Sequence, residues 1–286
     1  MSLLKLYAFA DEASPALSGQ IAALHRNALH GMEIRNVDGI NVSDLTPDAA
    51  REIRRRLDDA GLTVWSIGSP IGKIDIRTGD YAAEKEKLRR TLEIADILGA
   101  ENLRMFSFYL PREESPALFR QEVLTRLNEM ADIAAGTGIT LCHENEKGIY
   151  GDMASRCLEI HENIPAIRAV FDPANFVQCG QDTQEAWKLL HSYVKYLHIK
   201  DALEDGNVVP AGQGIGHVSE IAAAYLQQGG EVMTVEPHLR VFSGLAALER
   251  KGEESLVGRF EYESSDAAFD AACAALQAIL PGDEQA

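Results

Sequence analysis

The chain has 286 residues, of which 46% are apolar and 7% are aromatic, a composition typical of a globular protein. Its 44 acidic residues exceed the 27 basic ones and give a formal charge of −17. Such a field repels polyanions, so we expect no nucleic-acid partner. No segment approaches the roughly 18 consecutive apolar residues of a membrane helix, and residues 1–10 lack the features of a signal peptide. We therefore expect a cytoplasmic protein without membrane association.

Short segments typical of β-strands alternate with longer segments of helical period along the whole chain. There are eight strand-like segments, and they are Leu4–Phe9, Met32–Arg35, Thr63–Ile67, Asn102–Phe106, Ile139–Glu144, Ala169–Asp172, Tyr196–Ile199 and Glu231–Glu236. This alternation is the pattern of βαβ units, which place their strands in one parallel sheet.

Capping signals and apolar spacing indicate helices between these strands. Hydroxyl residues that precede a proline predict helix starts at Ser14-Pro15, Thr46-Pro47 and Ser115-Pro116. The stripe after Thr46 has the 3.6-residue helical period, with apolar residues at Ala50, Ile53, Leu57 and Ala60. Glycines that fit helix C-terminal caps follow three of the stripes, at Gly61, Gly99 and Gly138.

Two α/β architectures accommodate eight such units, a doubly wound sheet and a closed barrel. The first strand is followed by Ala10-Asp11-Glu12-Ala13, which does not resemble the Gly-rich loop of a dinucleotide-binding sheet. No linker or low-complexity tract divides the sequence. We predict a single α/β domain over residues 1–286, folded as a (β/α)8 TIM barrel.

The last four strands end in side chains that can bind a metal. These are Glu144, Asp172, His198 and Glu236, at separations of 28, 26 and 38 residues. Active sites of TIM barrels lie at the C-terminal ends of the strands, so these side chains should meet at one mouth. Three carboxylates at close range repel one another unless a cation lies between them.

Other interpretations apply to each of these residues taken singly. A lone Glu or Asp at a strand end is often a helix cap or a solvated charge, and His198 could be a core histidine. Jointly the four predict one divalent ion. Three oxygen donors and one nitrogen donor suit Mn²⁺, Zn²⁺, Co²⁺ or Mg²⁺, with manganese favoured.

In this order and at these separations, the four residues resemble the metal ligands of the xylose isomerase-like sugar isomerase/epimerase superfamily. The segment His198-Ile199-Lys200-Asp201, the glycines at 212, 214 and 216, and the segment Ser69-Pro70-Ile71-Gly72-Lys73 also resemble segments of that family. The resemblance covers essentially the whole predicted barrel.

The resemblance implies a function and two catalytic residues. Glu144 and Glu236 would be both metal ligands and an acid/base pair, transferring a proton through an enediolate in a sugar or sugar phosphate. A metal-dependent lyase or dehydratase of a keto-sugar or inosose is the alternative enzyme, and a sugar-binding or regulatory module is the non-enzymatic one. We expect a small sugar as the partner, and a homo-oligomer remains open.

The chain departs from two branches of that superfamily. Ketose 3-epimerases carry Asn-Arg-Phe-Glu after the first ligand and a histidine three residues after the aspartate. Here Glu144 is followed by Asn145-Glu146-Lys147, and Asn175 replaces the histidine. AP endonucleases need further histidines for a trinuclear zinc cluster. The comparable positions hold Ser66, Ser69, Phe106 and Asn175, so we expect no such cluster.

Further residues are candidates for substrate binding. Lys200 lies two positions after His198 and so shares its inward face. Arg104 could bind an anionic group or pair with another barrel residue. The full set is Lys200, Arg104, Asn175, His238 and Glu33. In contrast, His143 should point away from Glu144 into the packed layer, and His161, on a predicted helix, should lie at the surface.

Overall fold

The computed structural model describes residues 4–242, 245, 250, 256–257 and 260–280. Eight parallel strands form a closed barrel. They are β1 Lys5–Ala8, β2 Gly31–Ile34, β3 Thr63–Ile67, β4 Asn102–Met105, β5 Thr140–Glu144, β6 Arg168–Phe171, β7 Val194–Ile199 and β8 Val232–Val235. Each lies where the sequence predicts a strand, with ends shifted by two residues at most, so the predicted barrel is confirmed.

Every strand pairs with its neighbours in chain order, and β1 closes the barrel. On one side Tyr7 of β1 is in register with Gly31 of β2, and on the other side Lys5 is in register with Val232 of β8. All eight strands therefore point their C-terminal ends toward the same mouth.

Helices connect the strands and surround the barrel. They are α1 Leu17–Arg26, α2 Pro47–Asp59, α3 Tyr81–Leu98, α4 Arg120–Ala134, α5 Ala154–Asn163, α6 Pro173–Gln178, α7 Thr183–Leu190, α8 Val218–Gln227 and α9 Ser265–Ile279. No helix in these described segments has the length and apolar character needed to cross a membrane.

Two of the predicted helix signals act as expected. The hydroxyl of Thr46 accepts a hydrogen bond from the backbone N–H of Ala49 at 3.2 Å, which satisfies a free donor in the first turn of α2. Gly99 ends α3 with φ +70°, a left-handed conformation that is unfavourable for other residues.

The two Ser-Pro motifs, Ser14-Pro15 and Ser115-Pro116, predicted helix starts that are too early. The Ser14 hydroxyl accepts from the N–H of Ala16 instead of capping a helix, and α1 begins only at Leu17. Ser115 precedes a 3₁₀ turn and makes no side-chain cap before α4. In both motifs the Ser-Pro pair lies in a turn, and the α-helix begins a few residues later. A serine hydroxyl can bond to a nearby backbone group in such a turn instead of capping a helix.

Aromatic rings fill the N-terminal half of the barrel interior. Trp65 stacks on Tyr7 at 5.9 Å and meets Tyr196 edge to face at 5.9 Å. Cys142, Val170 and Val232 belong to the same buried group. This buried aromatic and apolar group fills the N-terminal end of the barrel, and the inward-facing charged side chains lie at the C-terminal mouth.

Candidate metal centre and active site

Four donor side chains meet at the C-terminal mouth. Glu144 ends β5, Asp172 follows β6, His198 lies in β7 and Glu236 follows β8. One ligand atom from each residue lies within 4.8 Å of those of the other three. All four side chains are buried. Four successive strands thus bring three carboxylates and an imidazole into one compact cluster.

The imidazole of His198 is held between carboxylates on both edges. Its Nδ1 lies 3.1 Å from Oε1 of Glu144 and 3.6 Å from Oε2 of Glu236, so this nitrogen faces the cluster. Its Nε2 lies 3.0 Å from Oε2 of Glu33. Burial opposes charging of the ring, but Glu144 and Glu33 outweigh it and raise the pKa of His198 to about 10.

Lys200 reaches two of the carboxylates. Its Nζ lies 2.9 Å from Oδ2 of Asp172 and 2.7 Å from Oε2 of Glu236. Burial lowers the pKa of Lys200, but these two carboxylates raise it well above the usual value. Burial raises the pKa of Asp172 to about 7, against the opposing effect of Lys200. The ammonium group of Lys200 compensates part of the negative charge of the cluster.

Arg104 stands on the Glu144 side of the cluster. Its Nη1 lies 3.1 Å from Oε2 of Glu144, and its Nη2 donates to the carbonyl of Gly68 at 3.2 Å. The distance from Nη1 to Oε1 of Glu236 is 4.0 Å. Arg104 therefore borders both proposed acid/base residues, and its carboxylate partner is Glu144.

Two asparagines hold the ligand residues in place. The Nδ2 of Asn175 donates to Oε1 of Glu144 at 3.2 Å, and its backbone N–H donates to Oδ1 of Asp172 at 2.9 Å, which caps α6. Asn145 exchanges two hydrogen bonds with the backbone of Asp172, at 2.9 and 3.0 Å. Asn145 was not among the predicted site residues, and its position directly after Glu144 was the only signal in the sequence.

Glu33 lies behind the His198 ring. Its Oε1 accepts from the hydroxyl of Tyr196 at 2.9 Å, and its Oε2 faces Nε2 of His198. A shift of register between Met32 and Glu33 accompanies this inward position. Both oxygens of Glu33 are engaged and 1% of the residue is exposed; its contact with substrate stays a prediction.

A second charged group adjoins the cluster, and sequence reasoning missed most of it. Arg35 donates to both carboxylate oxygens of Asp11 at 2.9 and 3.0 Å and to Oε1 of Glu12 at 3.0 Å. Its Nη1 lies 3.3 Å from Oε1 of Glu236. The available signal was the pair Asp11-Glu12 directly after β1, a strand end like the others.

His238 completes that group on the loop after β8. Its Nδ1 lies 3.2 Å from Oε1 of Glu12 and 3.7 Å from Oε1 of Glu236. Its backbone has φ +43°, a strained conformation that is typical of functional sites. Burial raises the pKa of Glu236, but Lys200 and His238 outweigh that effect and lower it well below the usual value.

The donor set fits a divalent ion. Oε2 of Glu144 and Oδ2 of Asp172 are buried and make no well-formed hydrogen bond within the part of the chain that the structure describes. Cations lie near both, at 3.1 and 2.9 Å. Buried oxygens with unused acceptor capacity, beside an imidazole, suit hard and borderline metals.

The two remaining buried histidines lie outside the cluster. Nε2 of His143 lies 2.9 Å from the hydroxyl of Ser107, so the prediction of a packed histidine is confirmed. His161 is 1% exposed and stacks on Tyr193 at 5.4 Å, so its predicted surface position is wrong. The side of α5 that carries His161 faces the barrel, where Nδ1 lies 3.1 Å from the carbonyl of Ile167.

The closed barrel and the buried donor cluster at its C-terminal mouth define a TIM-barrel protein with a candidate metal centre. The model of the xylose isomerase-like TIM barrel family matches residues 21–249. The chain belongs to this family, which is a family of enzymes.

Solved structures of similar fold carry several enzyme names. The probable 3-DHS dehydratase AsbF of Bacillus anthracis aligns with a TM-score of 0.71 at 15% identity, over 96% of this chain and 99% of that one. The 3-keto-D-glucoside 4-epimerase YcjR of E. coli aligns with a TM-score of 0.70 at 14% identity, over 96% and 99%. The IOLI protein with a bound zinc atom aligns with a TM-score of 0.69 at 17% identity, over 98% of both chains. At these identities the likeness concerns the fold. No curated protein matches the chain.

Proposed function

We propose that the protein is a divalent-metal-dependent isomerase or epimerase of a sugar-like ketose. One observation carries the proposal: donor atoms of Glu144, Asp172, His198 and Glu236 lie within 4.8 Å of one another at the C-terminal mouth of the barrel. The names of similar structures, among them a sugar epimerase, support this class of reaction.

In this proposal the four residues hold one ion, with manganese favoured by the donor set and zinc, cobalt or magnesium as alternatives. The ion would supply positive charge next to the carbonyl and hydroxyl oxygens of the substrate, which stabilises the negative charge that develops there. Lys200, Arg104, Asn175 and His238 border the cluster and are the proposed substrate-binding side chains.

Glu144 and Glu236 are the proposed acid/base pair. They come from β5 and β8, so they approach the cluster from different directions. Each has one oxygen near His198 and a second oxygen near a guanidinium group, Arg104 for Glu144 and Arg35 for Glu236. One carboxylate takes the proton from the carbon beside the carbonyl. Return of a proton to the opposite face gives the epimer, and return to the neighbouring carbon gives the isomer.

Proton exchange with solvent tests this proposal. Metal-loaded protein, incubated with ketoses in D₂O, should place deuterium on the carbon next to the carbonyl, because the protonated carboxylate exchanges with solvent before it returns the proton. Mass spectrometry and NMR measure the label. An epimerase or isomerase yields only sugars. A lyase also releases a dehydrated dicarbonyl compound that absorbs ultraviolet light, and that outcome would establish the alternative enzyme.

Replacement of the proposed bases provides the control. Glu236→Gln keeps a ligating amide oxygen but no base, so turnover should fall by ~10²–10⁴-fold while metal remains bound. Glu146→Gln removes a carboxylate near the mouth that is paired with Lys73 at 3.1 Å, and it should retain solvent exchange. Full exchange in Glu236→Gln would contradict the assignment of this residue.

A further inference from the structure

We propose that the substrate of this site is an uncharged polyhydroxy ketone and that the site discriminates against phosphorylated sugars. This inference rests on the proposed function and specifies its substrate class. Two independent features carry it: Asp201 fills a glycine-rich loop whose backbone N–H groups could otherwise bind phosphate, and the buried mouth holds more carboxylates than cations.

The loop after β7 directs its backbone donors onto Asp201. The N–H groups of Gly212 and Gly214 each donate to Oδ2 at 3.0 Å. Those of Gly216 and Ala202 each donate to Oδ1 at 2.9 Å. Converging backbone N–H groups form an anion site, and TIM barrels frequently bind phosphate with the loops after the seventh and eighth strands. In this chain an internal carboxylate occupies those donors.

The backbone of this loop lies in close contact with the Asp201 carboxylate. A Cβ atom on Gly214 would lie 2.3 Å from Oδ1 of Asp201, and one on Gly216 would lie 2.6 Å from the same oxygen. The glycines are therefore needed for the close approach of backbone to carboxylate. Asp201 itself is fully buried, so a phosphate group could bind these donors only by displacing it.

The charge of the mouth also opposes an anionic substrate. Among the described residues, six buried carboxylates surround the cluster, and they are Asp11, Glu12, Glu33, Glu144, Asp172 and Glu236. Three buried cationic side chains face them, and they are Arg35, Arg104 and Lys200. With a divalent ion, these nine side chains would carry a net charge of about −1, apart from the imidazoles of His198 and His238. A phosphate group would therefore meet carboxylates without a surplus lysine or arginine to compensate it.

The cations at the mouth already have carboxylate partners. Arg35 binds Asp11 and Glu12, and Arg104 lies 3.1 Å from Glu144. On the loop after β3, Lys73 lies 3.1 Å from Glu146. A neutral hydroxyl group can donate to such carboxylates and accept from such cations without changing the total charge. This pattern suits a polyhydroxy ketone.

Matched pairs of sugars test the inference on the metal-loaded protein. D-fructose is compared with D-fructose 6-phosphate, and D-ribulose with D-ribulose 5-phosphate, by the rate of deuterium exchange from D₂O. Exchange should be at least ~10-fold more efficient for the unphosphorylated member, because repulsion weakens binding of the phosphate ester. Millimolar inorganic phosphate should leave the melting temperature unchanged.

The outcomes separate this inference from the proposed function. Faster exchange into a phosphate ester, or stabilisation by inorganic phosphate, would overturn the inference and leave proton transfer in place. Exchange in no sugar would count against the proposed function, and the melting temperature with inorganic phosphate would then decide the inference alone.

A variant tests the loop directly. Asp201→Ala vacates the backbone donors, so inorganic phosphate should raise its melting temperature. Asp205→Ala removes the same charge from the same loop without opening the donors, and it should behave as wild type. A folded Asp201→Ala protein that phosphate does not stabilise would contradict the assignment of this loop as a filled anion site. If that variant does not fold, the comparison of sugars still decides the inference.

Discussion

The orientation of the His198 ring depends on a residue from the opposite side of the barrel. Oε2 of Glu33 in β2 accepts a hydrogen bond from Nε2 of His198. The other ring nitrogen, Nδ1, is therefore directed at Glu144 and Glu236. Tyr196 donates to the other oxygen of Glu33, and the hydroxyl of Ser66 lies 3.0 Å from that of Tyr196. Carboxylates behind a ligating histidine fix the ring and its tautomer. Glu33 is thus the proposed positioning residue of the metal centre.

Glu33→Gln should weaken metal binding by ~10–100-fold, because the amide no longer provides the charged partner of the ring. Isothermal titration calorimetry with Mn²⁺ and Zn²⁺ measures the affinity. Ser66→Ala is the matched control, since it removes only the hydroxyl next to Tyr196 and should retain metal affinity. Equal affinity in Glu33→Gln and wild type would show that Glu33 does not position the ligand.

At the level of the secondary structure, one proposed metal ligand also caps a helix. Asp172 is both a proposed ligand and the N-cap of α6, where Oδ1 accepts from Asn175. Thr46 caps α2, whereas Ser115 has the same Ser/Thr-Pro motif without a cap bond. Substitutions of Asp172 can therefore separate its proposed metal binding from its capping of α6.

Asp172→Asn should abolish tight metal binding and leave the melting temperature of the metal-free protein near that of wild type. The amide oxygen can still cap α6, while the negative charge is lost. Asp172→Ala removes both functions and should cost a further ~1 kcal/mol of unfolding free energy through the lost cap. Elemental analysis and thermal denaturation measure the two effects. An Asp172→Asn protein that retains one equivalent of metal would remove this residue from the ligand set.

Thr46→Ala should lower the free energy of unfolding by ~1 kcal/mol, because the N–H of Ala49 loses its partner. Ser115→Ala should have an effect close to zero, since its hydroxyl makes no cap bond. Urea denaturation of both variants measures the difference. Equal destabilisation by the two substitutions would argue against the distinction between the two Ser/Thr-Pro motifs.

For the molecule as a whole, buried histidines make stability depend on pH. Burial is the main cause that lowers the pKa of His161 from 6.5 to about 4, and burial likewise lowers the pKa of His143 well below its usual value. Between pH 4 and 6.5 these two histidines bind more protons in the unfolded chain than in the folded one. Their contribution to stability is therefore complete above about pH 6.5 and is lost as the pH falls toward 4.

His161→Asn should reduce this acid sensitivity by up to ~3 kcal/mol over that interval, because asparagine does not titrate and its amide can still donate to the carbonyl of Ile167. Urea denaturation at several pH values measures the slope. His191→Asn, which removes an exposed histidine, is the matched control. A slope in His161→Asn equal to that of wild type would show that this ring is not the source.

The sequence by itself determined the order of strands and helices, the closed barrel and the four strand-end donors. These features follow from local periodicity, and the C-terminal ends of parallel strands necessarily share one mouth. It also predicted the packed position of His143. It did not determine the partners across the barrel. Glu33 and His198 are 165 residues apart, and their contact depends on barrel closure and on the irregular register at Glu33.

The tertiary structure alone decided how charges are distributed around the donors. From the sequence, Asp11 and Glu12 were only part of the loop after the first strand. In the folded structure both pair with Arg35. The glycines of the loop after β7 resembled a family segment, and only the fold showed that Asp201 fills it. Pairing of buried charges depends on distances of a few ångströms between distant residues. The closed barrel sets those distances, and the spacing of residues along the chain does not predict them.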